Sequence, residues 1–146
     1  MIVILHTSAS EFGNAATIDH WHRERGWSGI GYHFVVLNGY LKKGKYNHFF
    51  DGHIETGRPI DDDDKIDPWE IGAHTKGYNH TIGVCIVGVS SMTYSQKFGI
   101  GKLLLQLREQ FGKIDAVKQH SDYDTRKPFC AGLTDEDMKY FNKLIS

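Results

Sequence analysis

The stretch Thr81-Ile82-Gly83-Val84-Cys85-Ile86-Val87-Gly88-Val89 constrains this chain more than any other. Its apolar side chains fall at odd and even positions alike, so a strand built from it must be covered on both faces. That pattern belongs to an interior strand of a sheet with helices packed against it, not to a half-solvated ribbon. A chain of 146 residues can supply that cover within one domain.

Two more apolar runs share a second property. Ile2-Val3-Ile4-Leu5 ends in His6, and the short run opening at Ala116-Val117 ends in His120. Each reads as a buried strand that delivers a histidine at its C-terminal end, where open sheets place their ligands. Cys130 follows after an irregular polar segment. Two strand-end histidines and a loop cysteine make a three-ligand zinc site with the fourth position left to water. The alternatives are satisfied core histidines with a buried thiol, or a single disulfide between Cys85 and Cys130. No basic segment precedes the first apolar run, which therefore reads as a strand and not a signal peptide; free thiols in a reducing cytoplasm are the expectation. Cys85, inside the central strand, reads as inert core.

The remaining pattern fills in the architecture. A helix is expected over residues 17–25, with Thr17 as N-cap and Gly26 as its stop. His20 and His22 lie two apart on it and cannot share a metal, so both read as surface or capping residues. Tyr32 to Leu37 reads as a strand, Asn38-Gly39 as a hairpin turn, and Tyr40 to Lys42 as the returning strand. Ile100, Leu103, Leu104, Leu107 and Phe111 fall at helical spacing and predict a long amphipathic helix over 95–111. Thr134 opens a last helix with a capping pattern and an acidic first turn, burying Met138, Phe141 and Leu144. Periodicity disappears beyond Gly44, so residues 45–67 read as an insertion or loop. Its acidic run Asp61 to Asp64, with Asp67, reads as a solvated surface; a calcium loop would need alternating oxygen ligands around a glycine bend. The sum is an α/β protein, a single domain over 1–146, with a mixed sheet of about five strands flanked by about three helices. Periodicity does not order those strands. A net charge of −1 gives no global attraction to nucleic acid or anionic membrane, and no apolar run approaches a membrane span.

Several ordered segments together resemble the zinc-dependent N-acetylmuramoyl-L-alanine amidases of the phage lysozyme and peptidoglycan recognition protein superfamily. Ile4-Leu5-His6-Thr7-Ser8-Ala9 is similar to that family's first ligand strand, and Trp21-His22-Arg23-Glu24-Arg25-Gly26-Trp27 to its first helix and turn. Gly31-Tyr32-His33-Phe34 resembles the strand carrying its catalytic tyrosine. Gly72-Ala73-His74-Thr75-Lys76-Gly77-Tyr78-Asn79 and Ile82-Gly83-Val84-Cys85 resemble its substrate loop and central strand.

The resemblance implies hydrolysis of the amide between the lactyl group of N-acetylmuramic acid and L-alanine in peptidoglycan, as a phage or prophage endolysin. It implies one Zn²⁺ per chain on His6, His120 and Cys130, with Tyr32 orienting the water or moving its proton. Lys127 would be the cation beside the carbonyl, and Arg126 its competitor for that place. His74, Lys76 and Arg126 become candidates for substrate contact, and His33 for substrate contact or for holding a ligand's orientation. The expected partner is peptidoglycan or its muropeptides, met by a monomer that stays in the host cytoplasm until release and then acts on the wall. A muropeptide-binding module that does not cleave, and a regulatory scaffold for a protein partner, are the rival functions on this fold.

Overall fold

The computed structural model describes residues 1–146. The central apolar run forms β4 (Ile82–Ile86), buried at every position. β1 (Ile2–Thr7) pairs with it in parallel on one side and β2 (Phe34–Lys42) in parallel on the other. β5 (Ala116–Gln119) adds in parallel beyond β1, and β3 (Lys45–Thr56) antiparallel beyond β2. The result is a five-stranded mixed sheet in the order β3-β2-β4-β1-β5.

Three helices cover it. α1 (Ala15–Glu24) starts two residues before the expected Thr17, because the Asn14 side chain takes the N-cap and accepts from Thr17 N–H at 2.9 Å. α2 (Tyr94–Phe111) begins behind a capping box of Thr93 and Gln96, and α3 (Asp135–Ile145) behind one of Thr134 and Asp137. No helix is long and apolar enough to cross a membrane.

Register sorts the side chains onto two unequal faces. Leu5 and Val84 face α2 and α3, in a cluster of 15 buried residues that includes Ile100, Leu104, Leu107 and Phe141. His6 pairs with Cys85, and Cys85 with Val35, on the opposite face. There Cys85 and Val35 join Ile18 of α1 and three others in a cluster of 6.

Two expectations on the edge are corrected. Residues 45–56 are a strand and not a loop. β3 lies at the sheet's edge with its first five residues exposed, so no apolar alternation marks it; backbone pairing with β2 holds it. Asn38-Gly39 does not turn the chain either. It sits inside β2, where the pairing shifts register and Gly39 takes φ +90°, and the turn comes later, at Gly44 with φ +73°.

Gln96 ties the helical layer to the sheet and was not marked by periodicity. It is 1% exposed, and its side-chain amide donates to the carbonyls of Val36 at 3.1 Å and Val87 at 2.9 Å, while its Oε1 accepts from Thr93 N–H at 2.9 Å. Gln96→Leu keeps the bulk but strips the Val87 carbonyl of its donor, whereas the Val36 carbonyl still accepts from Val87 N–H at 3.0 Å. Urea unfolding should show a loss of about 1–3 kcal/mol for the one carbonyl left unpaired; an unchanged midpoint would contradict this role.

Candidate metal centre

Strand register brings the histidines together. Leu5 lies opposite Gln119 across β1 and β5, so the next residues, His6 and His120, leave adjacent strands side by side with ring centroids 4.6 Å apart. Cys130 is drawn in by its own backbone and by β1. Its carbonyl accepts from Ser121 N–H at 2.6 Å, and its Sγ accepts from Thr7 N–H at 3.3 Å. One donor atom from each of His6, His120 and Cys130 lies within 4.8 Å of the others, and His6 Nδ1 is 4.0 Å from the sulfur.

This set fits a metal ion. Two imidazoles and a thiol suit a borderline-soft divalent ion, and ligands bound at tetrahedral zinc stand about 3.3–3.8 Å apart, within a short contraction of the observed spacing. Burial, and then the neighbouring His74 and His120, hold the His6 ring well below the usual histidine range, so it presents a neutral lone pair. Burial pushes the Cys130 thiol up, and the Thr7 N–H and the Lys127 ammonium oppose that shift. Bound metal would displace the thiol proton.

His120 and Cys130 line an open cleft of about 530 Å³, with His6 buried beside them; its walls also include Tyr32, Trp27, His74, Lys127 and Phe129. Tyr32 packs its ring 5.0 Å from His6, and burial raises its phenol well above the ordinary value, so it stays protonated. The two cations in question behave differently. Arg126 is paired with Asp124 through Nε and a terminal nitrogen, each at 3.0 Å, and this pairing takes the Asp124 carboxyl down to about 2. Lys127 has no such partner, and its charge lowers the proton affinity of both His120 and Cys130.

Other expected site residues are placed differently. His33 does not reach the cleft. It is 1% exposed, its Nε2 donates to the Glu70 carbonyl at 2.6 Å, and its Nδ1 accepts from Gly83 N–H at 3.0 Å, which pins the long loop to β4. Lys76 is exposed on that loop, outside the cleft walls. His74 reaches the cleft wall but is largely buried, with both ring nitrogens engaged by protein groups. His20 is at the surface, 2.7 Å from Glu24. His22 is not: it is buried, accepts from Gly31 N–H through Nδ1 at 3.0 Å, and turns the rest of its ring toward the cleft between Trp27 and Tyr32. The signal was its position four residues after Ile18, on the same buried face of α1. The acidic run folds around buried Glu70, which accepts from Asp61 N–H at 2.5 Å and Asp67 N–H at 2.8 Å.

The endolysin of Klebsiella phage KP32 is 31% identical over 134 residues, covering 81% of this chain and 73% of that protein. The chain belongs to the phage endolysins. The Escherichia phage T7 endolysin is 37% identical over 90 residues, which is 46% of its length, so this endolysin matches part of that relative. No family model matches. Among solved structures, N-acetylmuramoyl-L-alanine amidase LysC from Clostridium intestinale superposes on this endolysin with a TM-score of 0.72 and 26% identity, covering 95% of this chain and 82% of LysC. Peptidoglycan recognition protein LB of Drosophila shares the fold at a TM-score of 0.61 and 22% identity, covering 90% of this chain and 74% of that one.

Buried histidines give the endolysin a specific acid sensitivity. Burial holds His33 below its ordinary range and takes His74 down to about 3. As pH falls through about 6.5 the unfolded chain gains protons that the folded chain refuses, so stability is lost on the acid side. Unfolding free energy of the metal-free protein should decline below pH of about 6.5, by up to about 1.4 kcal/mol per pH unit for each of these two residues. Urea titrations across that range measure it, and stability rising toward pH 5 would contradict the assignment.

Proposed function

We propose that the chain is a zinc-dependent N-acetylmuramoyl-L-alanine amidase that cuts between the lactyl group of N-acetylmuramic acid and L-alanine of the peptidoglycan stem. The observation that carries this reading is the convergence of His6, His120 and Cys130 within 4.8 Å, at a cleft lined by His120 and Cys130 and walled by Tyr32 and Lys127. A zinc ion held by these residues would supply the Lewis acidity that amide hydrolysis lacks at neutral pH.

The protein's own groups account for the rest. Tyr32 keeps its proton because its phenol is buried, so its Oη serves as a donor that orients water or the developing oxyanion. Lys127, free of a carboxylate partner, supplies positive charge as the carbonyl oxygen becomes negative. Arg126 already shares its charge with Asp124 and is the weaker candidate for that place. Peptidoglycan recognition protein LE, of the same fold at 22% identity and a TM-score of 0.61, has been solved with tracheal cytotoxin, a monomeric diaminopimelic acid-type peptidoglycan. A muropeptide ligand in the corresponding cleft of this chain is consistent with that.

Purified chain should contain about one zinc and release stem peptides from peptidoglycan without new reducing sugar ends, with activity lost on chelation and restored by zinc. Zinc without cleavage of any wall type would leave a recognition module, and no zinc at all would sink the reading. Lys127→Ala should lower kcat by about 10²–10³, and Arg126→Ala by less than about tenfold. The reverse order would exchange their roles.

A further inference from the structure

A chain of ring contacts runs from the metal site into the protein, and its far end settles the protonation of the near one. The Thr81 carbonyl can only accept, and it lies 3.2 Å from His74 Nε2, so the proton of neutral His74 sits on that nitrogen. His74 Nδ1 is then an acceptor. It faces His6 Nε2 at 3.0 Å and the Thr75 hydroxyl at 3.0 Å. His6 Nε2 must therefore donate, with the Thr75 oxygen as its second neighbour at 3.3 Å. A neutral imidazole carries one ring proton, so His6 Nδ1 is bare, and it is the nitrogen 4.0 Å from Cys130 Sγ.

The surroundings are shaped to hold this arrangement. Asn79 Oδ1 accepts from the backbone N–H of His74 at 2.7 Å and of Thr75 at 2.8 Å, fixing the loop that carries the ring. Two glycines leave the ring its space: a Cβ at Gly83 would lie 2.5 Å from the ring carbon Cγ, and one at Gly72 2.6 Å from Cδ2. Neither nitrogen of His74 is left over for a substrate.

We infer that His74 is a positioning residue, which accepts from His6 Nε2–H and so holds His6 in the tautomer whose Nδ1 points at the metal. The inference rests on the zinc reading above. A ligand histidine anchored through its second nitrogen keeps both its ring orientation and its basicity, and losing such an anchor weakens metal binding about 10–100-fold.

The test uses the zinc-loaded chain and reads metal affinity by competition with a chromophoric chelator, and ring protonation by long-range proton–nitrogen correlation. Wild-type His6 should carry its proton on Nε2. His74→Ala should bind zinc about 10–100-fold more weakly. His74→Asn, whose Oδ1 can stand in for Nδ1 as acceptor, should remain within a few-fold of wild type. Circular dichroism of each variant checks its fold, and the wild-type tautomer requires no variant at all. A proton on His6 Nδ1 in the wild type, meaning coordination through Nε2, would overturn the inference. So would unchanged zinc affinity in folded His74→Ala accompanied by a raised KM for muropeptide, since that is the mark of a substrate contact. None of the decisive readouts is wall hydrolysis. A chain that binds zinc through His6 Nδ1 and cleaves nothing defeats the amidase reading and leaves the relay standing.

Discussion

The parallel pairing of β1 between β4 and β5 is the constraint from which the rest of the molecule follows. It sets His6 beside His120 on one flank and beside Cys85 on the other. Because strand side chains alternate, a slip of one residue in β1 would send His6 into the larger core and turn Leu5 toward the cleft. The apolar residues that make this slip unfavourable, Val3 and Leu5 against α2 and α3, are therefore also what holds the first donor in place. Cys130, on an irregular loop, uses the same strand as its reference through Thr7 N–H.

Buried histidines are the other organising theme. His22, His33 and His74 are each held to the backbone by a ring nitrogen: His22 to Gly31 N–H, His33 to Gly83 N–H and the Glu70 carbonyl, His74 to the Thr81 carbonyl. An imidazole offers one donor and one acceptor at fixed angles, which suits it to bridge irregular backbone that lacks a ladder partner. His33 and His74 stitch the segment between β3 and β4 to the sheet, and His22 ties α1 to the connector before β2, tasks helices and strands cannot perform there. The same fixed angles orient whatever stands next to them.

Much of this was legible in the sequence because burial leaves a pattern. β4 had to be interior, α2 and α3 carried both periodicity and capping residues, and His6 and His120 ended apolar runs whose strand character was plain. The illegible parts lack such a pattern. β3 is an edge whose exposed first half buries nothing, and Asn38-Gly39 carries the local chemistry of a turn but is used as an irregularity within a strand. His22 could have been placed from its spacing to Ile18. The engagement of His74 with His6 could not, since the two are 68 positions apart and meet only through the order of the strands. Arg126 and Lys127 look equivalent on the page, and the carboxylate of Asp124 is what distinguishes them.

The unequal faces of the sheet have a consequence for how such a protein can change. The heavier packing, with α2 and α3, lies behind the sheet, whereas the cleft opens on the side held by α1 and a smaller apolar cluster. The strands act as a partition between a foundation and a workshop. Arg126 to Phe129 on the cleft rim are exposed and outside both apolar clusters, so they can be exchanged without disturbing the packing that keeps the chain folded, whereas Ala131, which joins the larger cluster, cannot. An architecture of this kind lets the rim of the cleft change while its scaffold stays as it is.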